Sequence, residues 1–171
     1  MLVPVRKGLY IVGPSLHTYK PEPFLLANHI LGPSYISTDA ALSYYGLIPE
    51  RVYELSSMTT KASRVFNTAI GKFTYTRLPL PYYAFGIRRE KLADKAFVLM
   101  ASPEKALFDK VITTAGRILR SKKATLAWLL EDLRIDENSL KEFDTQSMLT
   151  WITDAPKKQS LQIIIKTIAE L

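Results

Sequence analysis

The chain has 171 residues, of which 47% are hydrophobic and 23% charged, so it is long enough for one well-packed domain and too apolar for general disorder. It contains no cysteine, which excludes a disulfide framework and a thiolate metal site. It also lacks the roughly 18 consecutive apolar residues that a membrane span requires. These features predict a soluble, cytoplasmic protein without membrane contact.

The net charge of +7 is unevenly distributed along the sequence. Residues 1–123 contain 18 lysines and arginines against 8 aspartates and glutamates, a balance of +10, whereas residues 124–171 contain 5 against 8, a balance of −3. A positive surface favours phosphate-rich partners, because protein cations release the counterions condensed on nucleic acid. A well-solvated lysine-rich surface would show the same excess, so charge alone leaves both interpretations open.

The first predicted element is a β-hairpin over LVPVRKGLYIV. Apolar residues flank Arg6, Lys7 and Gly8, and glycine readily adopts the positive φ of a tight turn. The hairpin tip is therefore cationic, and Tyr10 follows it. Arg6, Lys7 and Tyr10 are candidate nucleic-acid contacts, because a wing of this kind reaches phosphates or a minor groove. The following stretch, 13–23, is rich in proline and glycine and predicts an extended linker.

Two helices are predicted next. Pro23 suits the first turn of a helix that continues through FLLANHIL. The second helix covers TDAALSYY: Ser37 or Thr38 is its candidate N-cap, and Asp39 complements the helix dipole. Gly46 marks its end.

The middle of the chain predicts short strands in RVYELSSM, GKFTYTRLP, YYAFGIRR and KAFVLMA, which are rich in aromatic and β-branched residues. Their similar lengths and spacing predict one mostly antiparallel sheet. In KFTYTRL, alternation places Phe73, Tyr75 and Arg77 on one face, which is typical of a half-buried strand.

After residue 101 the pattern becomes helical. Ser102 is a candidate N-cap, Pro103 suits the first helical position, and Glu104 complements the dipole. A buried stripe at helical spacing is predicted at Ala106, Leu107, Val111 and Ala115. Two or three further helices are predicted after about residue 121. The whole order predicts an α+β fold with an N-terminal hairpin, a sheet flanked by helices and a helical C-terminal part.

Little in the sequence indicates catalysis. The two histidines, His17 and His29, have no second ligand at i+3 or i+4, and the seven glycines form no phosphate-binding loop. The alternative function is a metal-dependent, nuclease-like enzyme acting on nucleic acid, whose candidate acids are Asp39, Glu50, Glu54, Glu104 and Asp109. Two of these acids occupy predicted helix starts, where the dipole already explains them. We therefore expect no catalytic residue, metal or cofactor.

Taken in order, these segments resemble the AbiEi family, the antitoxin and transcriptional-regulator component of type IV toxin–antitoxin (abortive infection) systems. The resemblance covers roughly residues 5–112. It rests on the series R-K-G-L-Y, S-x-x-A-A-L with Y-G-L, T-T-K-x-x-R followed by G-x-F-x-Y, and S-P-E-K-A-L-x-D. The ordered series is specific, whereas each motif alone is short.

The resemblance implies a winged helix-turn-helix that binds promoter DNA, followed by a domain that opposes a nucleotidyltransferase-like toxin. Residues 1–19, with Arg6, Lys7 and Tyr10, match the wing and its linker, and residues 20–171 match the antitoxin domain, helical from about 121. The helices that precede the wing in the family have no counterpart in the sequence, so we expect phosphate contacts with little base readout. The implied protein is a non-enzymatic regulator in phage defence, with a cognate toxin and DNA as partners.

Two interpretations of the T-T-K-x-x-R block stay open. Thr59, Thr60, Lys61 and Arg64 match the family's block, at the point where a strand is expected to leave the sheet. Their hydroxyls can bond backbone groups freed there. Alternatively, the hydroxyls and the two cations receive a phosphate or an acidic surface of a partner.

Overall fold

The computed structural model describes residues 2–13, 22–50, 52–92 and 96–171. The predicted hairpin is confirmed: β1 (Leu2–Arg6) pairs antiparallel with β2 (Leu9–Val12), and Gly8 in the turn has a φ of 83°. Val5 is buried in the main core, so the hairpin packs against the body of the protein. Most of the predicted linker, residues 14–21, lies outside the described residues.

A six-stranded sheet occupies the centre of the molecule. Its strands, in chain order, are β3 (Ser34–Ile36), β4 (Glu54–Thr59), β5 (Arg64–Thr68), β6 (Gly71–Arg77), β7 (Ile87–Lys91) and β8 (Phe97–Ala101). Their order across the sheet is β5-β6-β4-β3-β8-β7. Two of them were not separately predicted. The three residues of β3 are all buried and show no alternation, and β5 begins at Arg64, the last residue of the T-T-K-x-x-R block.

The α+β class and the mostly antiparallel sheet are confirmed, although two of the five strand pairings are parallel and the sheet is therefore mixed. β3–β4, β5–β6 and β7–β8 are antiparallel, whereas β4–β6 and β3–β8 are parallel. β5 folds back on β6, so β6 lies between β4 and β5 and runs parallel to β4. Neighbours in sequence are therefore not always neighbours in the sheet, and short local signals do not reveal that.

Seven α-helices are described: α1 (Pro23–Ile30), α2 (Thr38–Tyr44), α3 (Pro103–Thr113), α4 (Lys122–Leu126), α5 (Glu137–Lys141), α6 (Thr145–Trp151) and α7 (Lys158–Ala169). A π-helical turn, Ala127–Asp132, continues α4, and Tyr82–Ala84 forms a 3₁₀ turn in a segment that had been predicted as strand. No helix among these described residues is long and apolar enough to cross a membrane.

The predicted starts of α1, α2 and α3 are confirmed, but the side-chain cap predicted for α2 does not form. Prolines open α1 and α3, and the Ser102 hydroxyl accepts a hydrogen bond from the Lys105 N–H at 3.3 Å. Ser37 occupies the N-cap position of α2, yet its hydroxyl donates to Asp109 at 2.7 Å and bonds no helix amide. The predicted stripe of α3 is buried as far as Val111, while Ala115 lies beyond the helix end and is exposed.

Helices cover both faces of the sheet. On one face, the Tyr75 hydroxyl donates to the Ala27 carbonyl of α1 at 2.5 Å. On the other, the Tyr35 hydroxyl donates to Asp109 of α3 at 2.9 Å. The C-terminal helices pack in turn on α3, where the rings of Phe108 and Trp151 meet edge to face, with centroids 6.4 Å apart. The core therefore extends from the sheet through α3 into the helical part.

Candidate partner-binding site

The three hairpin candidates have different surroundings. The Arg6 guanidinium donates to the Ile30 carbonyl at the end of α1, which attaches the hairpin to that helix. Lys7 is exposed at the tip, and no ion pair joins it to another described residue. Tyr10 is 55% exposed. The hairpin therefore presents Lys7 and Tyr10 to solvent, while Arg6 also has a structural contact.

The first residue of the T-T-K-x-x-R block is part of a turn. Thr59 is fully buried. Its hydroxyl donates to the Pro33 carbonyl at 2.8 Å and accepts from the Lys61 N–H at 3.2 Å. A few residues later, Ser63 accepts a hydrogen bond from the Arg77 N–H at 2.9 Å. These bonds hold the chain as it leaves β4 and turns into β5.

The two cations of the block point away from the core. Lys61 and Arg64 are exposed, Thr60 is half-buried, and neither cation forms an ion pair within the described part of the chain. The block thus divides into a buried hydroxyl that holds the turn and two cations that are open to a partner. The turn interpretation therefore holds for Thr59, whereas the partner-contact interpretation of Lys61 and Arg64 stays a prediction.

Two arginines distant in sequence, Arg64 and Arg77, lie beside Tyr75 on one face of the sheet. Arg64 stands directly opposite Tyr75 in the β5–β6 pairing, and Arg77 follows two residues later on the same face of β6. Directly opposite Cβ atoms are about 5 Å apart, and diagonal ones about 7–8 Å. Burial raises the pKa of Tyr75, and the nearby charge of Arg6 opposes that rise.

The S-P-E-K-A-L-x-D motif of α3 builds a buried polar network. The Lys105 ammonium lies 3.1 Å from the Asp109 carboxylate, donates to the Tyr82 carbonyl at 3.0 Å, and sits 3.2 Å from the centre of the Tyr82 ring. The same carboxylate accepts hydrogen bonds from the hydroxyls of Tyr82, at 2.7 Å, Tyr35 and Ser37. The network joins α3 to β3, α2 and the 3₁₀ turn.

Burial sets the ionisation of this network. Desolvation lowers the pKa of Lys105 to about 8, although the charge of Asp109 opposes the shift. Desolvation, with the Asp109 charge as a second cause, raises the pKa values of Tyr35 and Tyr82. Both charged side chains are completely enclosed, so the network holds elements together and offers no surface to a substrate.

Stability is expected to rise between about pH 8 and pH 10. Unfolded Lys105 keeps its proton up to its ordinary pKa of 10.5, so in this window the unfolded state binds more protons than the folded state. The free energy of unfolding should increase by on the order of 2 kcal/mol. Above about pH 10 the trend reverses, because Tyr35 and Tyr82 ionise only in the unfolded chain.

Urea denaturation from pH 7 to 11 measures this dependence. Lys105→Met serves as the control, because it removes the titrating amine and should abolish the rise. The same slope in both proteins would assign the pH dependence to another group.

Within the described ranges, the other carboxylates do not gather into a metal site. Asp39 and Glu54 line a polar cleft of about 410 Å³ between the sheet and α3, where each is paired with a lysine at 2.6 Å, Lys110 and Lys72 respectively. Among the described residues, no group of three or more His, Cys, Asp or Glu side chains could hold a metal ion. Glu104 and Asp109 lie in the core. His17 is outside the described residues.

Comparison with models of known protein families finds no match for this chain, and no curated protein matches it.

Sequence reasoning missed Arg77 as a site residue and the partners of Asp109. Alternation in KFTYTRL already placed Arg77 beside Tyr75, so that signal was available. Tyr35 and Tyr82 lie 74 and 27 residues from Asp109, and no local pattern connects residues at such separations.

Proposed function

We propose that this chain is an antitoxin-type regulator of a type IV toxin–antitoxin system. In this proposal it is a cytoplasmic, non-enzymatic protein of abortive infection that opposes a nucleotidyltransferase-like toxin and contacts promoter DNA through its hairpin. The proposal rests on the AbiEi-like motifs and on one structural observation. S-P-E-K-A-L-x-D lies inside the protein as scaffold, whereas the cations of the R-K-G-L-Y and T-T-K-x-x-R motifs lie at its surface.

This division supports a protein that acts by binding. Lys61, Arg64 and Arg77 are exposed, and no ion pair ties any of them to another described residue. Unpaired surface cations accelerate encounter with acidic partners and form charge-assisted hydrogen bonds with carboxylates or phosphates. The turn bonds of Thr59 fix the backbone that carries them.

Replacing Lys61 and Arg64 together by glutamate tests the proposal. Neutralisation of a co-expressed nucleotidyltransferase-like toxin, measured as colony recovery, should fall at least about tenfold, because two attractive contacts become repulsive. The free energy of unfolding should change by only about 0.5 kcal/mol, since both side chains are exposed.

The matched control is Lys123→Glu with Lys166→Glu, which makes the same charge change on exposed residues of α4 and α7. This control should retain neutralisation. Undiminished colony recovery in the Lys61/Arg64 variant would contradict the proposal. An equal loss of neutralisation in both variants would show that the effect depends on net charge and not on the position of Lys61 and Arg64.

A further inference from the structure

Among the residues that the structure describes, no strand covers the outer edge of β5. β5 is the last strand on its side of the sheet and pairs only with β6 among the described residues. The pairing runs from Arg64 to Thr68 without a bulge, and the backbone of these five residues forms no other hydrogen bond within the described ranges. Along this edge, alternate N–H and C=O groups therefore remain available to a further strand.

The opposite edge of the sheet is protected in a way that β5 is not. β7 places Arg88, Arg89 and Lys91 within five residues, and repeated cations are a common device against strand pairing. β5 has a single cation, Arg64 at its first residue, with no proline and no bulge, and its Val65 is 56% exposed. Of the two edges, β5 is the one that can accept another strand.

Positive charge surrounds this open edge. Lys61 precedes β5 in the turn, Arg64 begins the strand, and Arg77 lies on the same face of β6. A second copy of this chain would bring its own cations to the same edge, so repulsion opposes self-pairing. Nucleic acid would satisfy the charges but would leave Val65 and the backbone groups without partners.

We infer that the β5 edge binds an extended acidic segment of a partner protein by strand addition. The added strand hydrogen-bonds to the free backbone groups of β5 and extends the sheet by one strand. Its carboxylates lie on the face of Arg64 and Arg77, and an apolar side chain on the other face contacts Val65. The inference rests on the proposed partner contact at Lys61 and Arg64, and it names the chemistry of that partner.

A peptide experiment tests the inference without any toxin, so its failure is distinguishable from failure of the neutralisation assay. The probe is a capped eight-residue peptide of alternating glutamate and valine, added to the ¹⁵N-labelled full chain. Amide hydrogen exchange within residues 64–68 should slow about tenfold at saturation, because free N–H groups become paired. A lysine–valine peptide of the same length should not bind.

Two variants locate the contact. Val65→Lys should weaken peptide affinity about tenfold, because it places a flexible cation on the exposed position of the edge. Leu99→Lys is the matched control, since Leu99 is a similarly exposed strand residue, 46% accessible, in β8. It should leave affinity unchanged. Equal weakening by both variants overturns the assignment to β5.

Backbone methylation separates strand pairing from simple charge attraction. Methylating alternate amides along one edge of the peptide should abolish binding, and methylation along the other edge should preserve it. Equal binding of both methylated peptides overturns the inference. The inference also fails if a single-stranded oligonucleotide, and not the acidic peptide, changes the amide signals of residues 64–68. It fails as well if the free protein sediments as a dimer that the Val65→Lys substitution dissociates.

Discussion

Asp109→Ala is expected to destabilise the protein by about 3–5 kcal/mol, because it leaves a buried ammonium without its counterion. Lys105 and Asp109 are both completely enclosed, with 3.1 Å between the ammonium and the carboxylate. Three hydroxyls, those of Tyr35, Tyr82 and Ser37, would also lose their shared acceptor. The midpoint of urea unfolding at pH 7 measures the loss.

Asp39→Ala provides the matched control. Asp39 also pairs with a lysine, at 2.6 Å from Lys110, but its side chain is 42% exposed. Its loss should cost no more than about 1 kcal/mol, since water compensates exposed charges. A double variant, Lys105→Met with Asp109→Leu, should recover part of the loss, because it removes both buried charges. A cost for Asp109→Ala as small as that of Asp39→Ala would contradict the role assigned to the network.

Gly86→Ala is expected to cost about 2–5 kcal/mol, from two causes that act together. Gly86 has a φ of 63°, which costs a residue with a Cβ about 1–2 kcal/mol. The new Cβ would also lie 2.7 Å from the Lys105 Cβ and 3.0 Å from the Trp151 ring, and overpacking of this kind costs about 1–3 kcal/mol. Thermal and urea unfolding of the purified variant measure the sum.

Gly46→Ala isolates the conformational part of the cost, so the difference between the two variants gives the steric part. Gly46 has a similar φ of 69°, but no atom lies within 4 Å of the position of its Cβ. The free energy of unfolding of this variant should fall only by the conformational cost of about 1–2 kcal/mol. Equal losses in the two variants would show that α3 and α6 can move apart around Gly86 without cost.

Short sequence signals predicted the structure correctly where the stabilising interactions lie between residues close together in the chain. Pro23 and the Ser102–Pro103 pair mark helix starts, because a fixed φ and a side-chain acceptor act within one turn. Gly8 marks the hairpin turn for a similarly local reason. The strands β4, β6 and β8 and the α+β class follow from such signals. Ser37 is the informative exception, because a carboxylate 72 residues away takes its hydroxyl from the helix amides.

The amino-acid sequence by itself determined the helix starts, the turn of the hairpin, most of the strands and the cationic character of the two surface motifs. Only the tertiary structure decided that the sheet is mixed, that Asp109 accepts hydrogen bonds from Tyr35, Tyr82 and Ser37, and that Arg64 lies beside Arg77 on one face. The physical reason is separation along the chain. Caps and turns depend on neighbouring residues, whereas strand order and buried charge pairs depend on which distant segments pack together.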